Sequence, residues 1–138
     1  MTEIPTIADC RAEIQEGLVG ILGTAFGTDL TDVRSYLPQT PPPATAWIEL
    51  MGVEAGDTQG LPYAQARATW RVTVTARPGM AVADATAWLD RVAQVMLSLD
   101  VGGISISEYV AISGDALASP LPAVRITIKT IITRKATK

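Results

Sequence analysis

The side chains that could perform acid–base or nucleophilic chemistry in this chain are carboxylates, lysines and a single thiol. The 138 residues include no histidine, one cysteine and 14 acidic residues. Histidine is the usual general base and the commonest metal ligand. Its absence leaves an enzyme only a carboxylate or a lysine mechanism.

The carboxylates do not form a recognisable site in the sequence. The closest acidic pairs fall in a predicted turn or on an exposed helix face: Asp29 with Asp32, and Glu13 with Glu16. Asp57 and Asp115 each follow a glycine, in segments typical of turns. No EF-hand spacing appears, and a cation held by carboxylates alone needs several converging oxygens. We therefore expect no enzyme, no catalytic residue, no cofactor and no metal site.

Cys10 is predicted to be a buried apolar residue. It shares one face of a helical pattern with Ile7 and Ile14, at spacings of three and four residues. A lone cysteine cannot form a disulfide within the chain, and free cysteine is among the residue types most often buried.

Length and composition predict one globular domain over residues 1–138. Hydrophobic residues make up 48% of the chain and charged residues 18%, which is ordinary for a folded domain. Charged residues interrupt the N-terminal helical pattern, so we predict neither a membrane-spanning helix nor a signal peptide. The chain is expected to be cytoplasmic.

Charge is distributed unevenly along the sequence. Residues 1–60 carry nine acidic and two basic residues, and residues 61–138 carry five acidic and nine basic residues. Unlike halves can offer complementary surfaces to copies of the same chain. Alternatively, the two halves intermix in the fold and the asymmetry disappears in space. The sequence leaves both interpretations open.

A strand, a turn and a helix occupy the centre of the chain. Residues 66–77 alternate between apolar and polar types, and residues 82–99 repeat apolar types at helical spacing. An earlier helix is predicted to begin at Thr6, with Asp9 placed as in a capping box. Trp70 and Trp88 share the apolar phase of their elements and are predicted to face each other in the core.

The remaining pattern predicts four more strands and three irregular segments. The strands are expected at 31–37, 45–53, 104–113 and 123–134, with a proline-rich connector at 39–43, a flexible polar loop at 54–62 and a basic tail at 134–138. The order α-β-β-β-α-β-β predicts an α+β fold. We expect a mainly antiparallel or mixed five-stranded sheet with both helices packed on one face.

Three glycines in the first helix have two interpretations. Gly17, Gly20 and Gly23 are spaced three residues apart, and each costs about 1 kcal/mol relative to alanine. They permit close approach of a sheet or a neighbouring helix, or the helix frays after Gly20.

Candidate self-association residues come from one strand and from the polar loop. The loop is longer than a tight hairpin needs, and such loops often carry binding surface. The buried phase of the second strand is ambiguous at Trp47, and tryptophan is enriched at protein contacts. The candidate residues are Trp47, Gly56, Asp57, Thr58, Gln59 and Gly60.

Nucleic-acid binding has little support as a specific function. The last strand and the tail carry a modest set of basic residues: Arg125, Lys129, Arg134, Lys135 and Lys138. The interleaved aromatic residues that stack on single-stranded bases are absent from it. A solvated terminus explains these charges equally well.

Three segments carry a resemblance to a known family. They are DVRSYLPQTPPPATAWIEL after the N-terminal helix, ATWRVTVTAR leading into the helix ADATAWLDRVAQVMLSL, and the final AVRITIKTIITR. With the element order and length, they resemble the tail terminator proteins of long-tailed phages, which are minor tail or head-tail joining proteins.

The resemblance covers nearly the whole chain and implies a structural virion protein. Its subunits would form a hexameric ring that caps the tail tube and joins it to the head. The implied partners are copies of the chain, the tail tube protein and the head completion or stopper protein. DNA would pass through the lumen unread, and the candidate residues above would include tube contacts. The implied location is the head-tail interface of a virion assembled in host cytoplasm, with no membrane.

Two other classes of function remain open. A small-ligand-binding or regulatory α+β domain would use the space between helices and sheet as its pocket. A hydrolase would use an unorthodox carboxylate. Ring formation distinguishes the structural protein from both.

Overall fold

The elements follow one another in the predicted order. The computed structural model describes residues 5–30, 32–39, 42–55, 65–77, 79–99, 102–113 and 120–133. The elements are α1 (Ile7–Phe26) with a 3₁₀ turn (Gly27–Asp29), β1 (Asp32–Arg34), β2 (Thr45–Glu54), β3 (Gln65–Thr75), α2 (Val82–Met96), β4 (Gly103–Ile112) and β5 (Leu121–Thr133). The predicted α+β class is confirmed.

The five strands form one mixed sheet in the order β1-β2-β3-β5-β4. β1 is parallel to β2, and every other neighbouring pair is antiparallel. Bulges interrupt the register after Leu50 in β2 and after Ile106 in β4. β3 pairs with β5 along the full length of β3, and β5 and β3 each have a neighbour on the other side, so they lie at the centre of the sheet.

The start of α1 follows the predicted cap. The Asp9 backbone N–H donates to Thr6 Oγ1 at 3.1 Å, and the Thr6 N–H donates to Asp9 Oδ2 at 3.3 Å. This capping box satisfies two backbone donors that a helix start leaves free. The buried stripe of α1 repeats every four residues and comprises Cys10, Ile14, Leu18, Leu22 and Phe26.

Gly20 and Gly23 behave as neither interpretation predicted. The helix continues to Phe26, so fraying after Gly20 is wrong. Both glycines are exposed, and a Cβ atom added at either would meet nothing within 4 Å. Close approach by another part of the described chain is therefore also wrong at these two positions.

The core lies between the two helices and one face of the sheet. It joins the buried stripes of both helices to β2, β3 and β5, and its largest fully buried side chain is Trp70. Trp70 is 0% exposed and Trp88 is 5% exposed, as predicted. Both contact side chains of α1, and their expected mutual contact stays a prediction. Trp88 lies 5.4 Å from Phe26 between ring centroids, whereas Trp70 lies beneath the guanidinium of Arg11.

Two element boundaries differ from the prediction. The strand expected at 31–37 is only Asp32–Arg34, because the Ser35 carbonyl accepts a hydrogen bond from Arg11 Nη1 at 2.9 Å instead of extending the ladder. The helix expected at 82–99 ends at Met96, and just beyond this end Ser98 Oγ donates to the Val95 carbonyl at 2.6 Å.

Neither described helix is long and apolar enough to cross a membrane.

The proline-rich connector joins two parallel strands. Because β1 and β2 run in the same direction, the chain must return along the sheet between them. Proline favours the extended conformation that such a short return requires. Ala44 follows the connector, and its φ of 48° places it in the left-handed region.

Candidate functional site

One face of the sheet carries no described helix, and we call it the outer sheet face. Side chains alternate between faces along a strand. The core contains Ile48, Trp70 and Val72, so the residues next to them in β2 and β3 project from the other face of the sheet. The central side chains of the outer sheet face are Thr45, Trp47, Glu49, Arg71, Thr73, Thr75, Glu108, Ala123, Arg125 and Thr127.

Trp47 lies on the outer sheet face and is already buried in the single chain. It is 2% exposed, and its indole Nε1–H donates to Glu49 Oε1 at 3.2 Å. The same carboxylate accepts a hydrogen bond from Arg71 Nη2 at 3.2 Å, so Glu49 joins an indole to a guanidinium. The proposed contact role of Trp47 stays a prediction, and the indole has little surface left to offer a partner.

Buried threonines attach the proline connector to the outer sheet face. Thr75 Oγ1 donates to the Pro42 carbonyl at 2.7 Å, and Thr45 Oγ1 donates to the Pro43 carbonyl at 2.8 Å. Thr73 is fully buried, and its hydroxyl oxygen has no hydrogen-bond partner. This end of the outer sheet face is therefore uncharged and built from short side chains.

Ion pairs neutralise most of the charge on the outer sheet face. Glu49 pairs with Arg71, and Arg125 Nη1 lies 3.2 Å from Glu108 Oε1 on the neighbouring strand β4. Each pair is partly exposed, so each contributes about 0–1 kcal/mol. The buried Nε atoms of both arginines have no hydrogen-bond partner. The pairs fix the orientation of the side chains and leave little net charge at the centre of the face.

The β1 edge of the sheet is closed by side chains. The Val33 N–H donates to Asp32 Oδ1 at 2.8 Å, and the Val33 carbonyl accepts from Gln15 Nε2 at 3.1 Å. Arg11 satisfies the next outward carbonyl, that of Ser35. Backbone groups that already have side-chain partners cannot readily pair with an added strand.

The β4 edge is different in length and in protection. Its ten residues pair with β5 on one side, and no described strand lies on the other side. The sequence GISISEYVAI contains no lysine or proline, and its one charge, Glu108, is paired with Arg125. Apart from the bulge, β4 lacks the features that usually protect an edge.

The predicted loop residues lie outside the described part of the chain. Gly56, Asp57, Thr58, Gln59 and Gly60 belong to the undescribed residues 56–64, and the basic tail 134–138 also falls outside. Glu54, expected to begin the loop, is instead the last residue of β2, because its backbone pairs with Arg67.

The described residues contain no group of three or more histidine, cysteine or acidic side chains that could hold a metal ion. Cys10 is 4% exposed, as predicted, and burial raises the pKa of its thiol above the ordinary value. A high pKa keeps the sulfur protonated and a poor nucleophile at neutral pH.

The space between helices and sheet is filled by large side chains, among them Ile14, Leu18 and Trp70. A groove lies outside this layer, next to the C-terminal half of α1 and β1. It is lined by Val19, Gly23, Gly27, Leu30, Asp32 and Val33.

No protein-family model matches this chain, and no curated protein matches it at a significant level. The described residues define the class of protein as an α+β domain in which both helices pack on one face of a five-stranded sheet with β4 at one edge.

Sequence reasoning missed the closed β1 edge and the link from Trp47 to Arg71. Arg11 and Gln15 are four residues apart, so they share one side of α1, and that spacing could have indicated a shared contact. Trp47 and Glu49 are two residues apart on one strand, which puts both on one face. The cross-strand partner of that face depended on register, which the sequence did not reveal.

Proposed function

We propose that this chain is a structural subunit that works by associating with copies of itself, as the tail terminators of long-tailed phages do. In this proposal the subunits form a ring, hexameric by the resemblance, that caps a tail tube and joins it to the head. The partners are the tail tube protein and the head completion protein, and DNA passes through the lumen without being read. The ring belongs to the head-tail interface of the virion.

The observation that carries this proposal is the unprotected β4 edge. An apolar strand edge of ten residues is a template for pairing, and natural proteins usually cover or blunt such an edge. A subunit that is covered in an assembly has no need of that protection.

The chemistry of the described residues also supports a structural role. The acidic residues of the outer sheet face are in ion pairs or project singly, and the buried thiol is held protonated. A ring that guides DNA needs shape and association rather than a reactive group.

The proposal is tested with tail tubes assembled without their terminator. The purified chain is added, and the tube ends are imaged by negative-stain electron microscopy. We expect a ring at one end of each tube, tubes of stable length, and joining to separately purified heads. Tubes that remain bare at saturating protein concentration contradict this function, whatever the chain does by itself.

A further inference from the structure

The residues of β4 divide between the two faces of the sheet, and directly opposed residues of neighbouring strands share a face. Those opposite the inward-facing residues of β5 lie on the helix side of the sheet: Ile104, Ile106, Tyr109 and Ala111. Those opposite the outward-facing residues of β5 lie on the outer sheet face: Gly103, Ser105, Glu108, Val110 and Ile112.

Ser107 is the extra residue of the β4 bulge and belongs to the outer sheet face. The register passes from Ile106 to Glu108 without a partner for it, and Ser107 Oγ shares a hydrogen bond with Thr127 Oγ1. Thr127 lies on the outer sheet face, so Ser107 does as well. A regular strand alternates strictly, whereas β4 has two consecutive residues on one face, Ser107 and Glu108.

The bulge gives β4 the same order of faces from either end. The helix-side positions are the second, fourth, seventh and ninth of its ten residues. Counted from the other end, they are again the second, fourth, seventh and ninth. A strictly alternating strand of ten residues lacks this property, because its second residue from one end and its second from the other lie on different faces.

Two copies of β4 therefore match each other about a two-fold axis that passes through the middle of the strand, perpendicular to the sheet. Such an axis keeps each face on its own side and reverses the strand direction, as antiparallel pairing requires. It places Ile106 opposite Tyr109 of the second copy and Ile104 opposite Ala111. Each of these pairs lies on the helix side, so apolar side chains meet across the axis.

The β4 edge is accessible in the single chain. Six of its ten residues are exposed, among them Tyr109 at 45%. Within the described residues, the backbone of β4 makes hydrogen bonds only in its ladder with β5. The Tyr109 hydroxyl donates to Asp90 on α2, which holds the ring in place before a partner arrives. Ile104 and Ile106 are half-buried, so an added strand would bury more of their surface.

The polar side chains of the edge also suit a second copy. Glu108 is the only charged residue of β4, and the axis places it opposite Ser107 of the other copy rather than opposite itself. Glu108 Oε1 is paired with Arg125, which leaves Oε2 to accept from that serine hydroxyl. Ten paired residues form about ten backbone hydrogen bonds, the number that a typical protein interface contains.

A regular strand from another protein fits this edge less well. Its side chains would alternate strictly, so they match the faces of β4 on one side of the bulge and are mismatched on the other. A second copy of the chain has the same bulge at the matching position. The order of faces therefore selects the second copy.

We propose that the occupant of the β4 edge is β4 of a second copy, paired antiparallel with Gly103 opposite Ile112. The contact rests on the proposed function in one respect, that the chain associates with its own copies. A ring with a tube on one side and a head on the other has no two-fold axis between neighbouring subunits. The pair is therefore the form of the free chain, and it separates before a tube is capped.

The register is tested with cysteines. Ser105→Cys/Val110→Cys places thiols of the two copies opposite each other at two symmetric positions. The two cysteines of one chain are about 17 Å apart along the strand, too far for a bond within the chain. We expect a covalent dimer on a non-reducing gel after mild oxidation. Ser105→Cys/Ile112→Cys is the matched control, shifted by two residues, and should stay monomeric. Equal cross-linking of both variants, or none in either, contradicts this register.

The contact is tested without a covalent bond by sedimentation equilibrium. Without tubes, wild type should form a dimer and no larger species. Ser107→Glu places a carboxylate opposite Glu108 of the other copy, and Glu108→Lys adds positive charge beside Arg125. Each variant alone should associate about tenfold more weakly or less. An equimolar mixture should recover the affinity, because the new carboxylate of one chain is then opposite the new ammonium of the other.

Thr24→Glu is the matched control for added charge, since Thr24 is exposed on α1, and it should leave association unchanged. Circular dichroism should show the native spectrum for every variant, because all of the substituted charge positions are exposed. A mixture as weak as its two components overturns the proposal. A wild-type chain that stays monomeric at millimolar concentration also overturns it.

Failure of the pair and failure of the proposed function are distinguishable. Tube capping by a chain that does not dimerise through β4 keeps the function and removes the pair. A dimer with the expected cross-link, beside tubes that stay bare, keeps the pair and removes the function. Capping by the covalent dimer as efficient as capping by wild type would show that the pair does not separate first.

Discussion

Thr130 provides the acceptor for Trp70 in the middle of the core. The indole Nε1–H of Trp70 donates to Thr130 Oγ1 at 2.9 Å, and the same oxygen accepts from the Cys10 thiol at 3.1 Å. The three residues are 7% exposed or less. One hydroxyl therefore satisfies buried polar groups from β3 and α1 while belonging to β5.

Replacing Thr130 with valine should destabilise the fold by about 1–3 kcal/mol, because it leaves a buried indole N–H without an acceptor. Thr130→Ser keeps the hydroxyl and is the control for the loss of shape. Urea unfolding followed by tryptophan fluorescence measures both variants. Equal stability of Thr130→Val and wild type would mean that water or another group replaces the acceptor.

Truncating either core tryptophan should cost about 3–5 kcal/mol, the range for buried aromatic residues replaced by alanine. Trp88→Ala removes the contact with Phe26, and Trp70→Ala removes the surface beneath Arg11. Leu97→Ala, at a position 49% exposed, is the control and should cost much less. Thermal unfolding of the three variants tests the helix-on-sheet core directly.

Trp47 should be shielded from solvent before any assembly takes place. A variant with Trp70→Phe and Trp88→Phe reports on Trp47 alone. Because its indole is 2% exposed, acrylamide should quench it weakly in the monomer and equally weakly in the assembly. A large loss of quenching on assembly would show that Trp47 is exposed in the free chain.

Gly20→Ala and Gly23→Ala should each stabilise the monomer by about 0.5–1 kcal/mol, since both positions are helical and an added Cβ meets nothing within 4 Å. Urea unfolding of both variants measures the change, and a loss of stability would show that an added Cβ atom meets other atoms in solution. Gly79→Ala is not a suitable control, because its φ of 79° would add strain.

The phenol of Tyr109 should lose its proton at an unusually high pH. Its hydroxyl donates to Asp90 Oδ1 at 2.6 Å, and this hydrogen bond, with burial and the negative charge, raises its pKa from 10 to about 12. The folded state favours the protonated phenol, so this contribution to stability is fully present below pH 10 and is lost as the pH rises toward about 12.

The tyrosine prediction is measured by ultraviolet absorbance during an alkaline titration. Subtracting the curve of Tyr109→Phe isolates this phenol, and its midpoint should lie near pH 12. Asp90→Asn removes the carboxylate and should lower the midpoint. A Tyr109 midpoint that Asp90→Asn does not move would show that the hydrogen bond is absent in solution.

Local pattern was sufficient to predict the fold class. The alternation through Trp70 and the cap at Thr6 are signals contained within a few residues, and each element formed where its signal lay. The β1 strand was predicted too long because its end depends on Arg11, which is 24 residues away from Ser35. A contact between residues far apart in the sequence does not change the hydrophobic periodicity of either segment, so the pattern cannot predict it.

The candidate site was predictable only in part. Trp47 was correctly placed on a strand, but its burial depends on Glu49, on Arg71 across the sheet and on the register between them. The position of the Arg11 guanidinium over the Trp70 ring was not predictable either. Composition counts this cation and cannot say in which direction it points.

The closed β1 edge limits how far strand pairing can extend. A sheet with one protected edge and one open edge can accept a single additional strand, which pairs with β4. Two copies joined through β4 would have only closed edges outside, so growth by backbone pairing stops at a pair. An assembly with more members, such as a ring, therefore needs a further contact between copies that does not use the sheet edges.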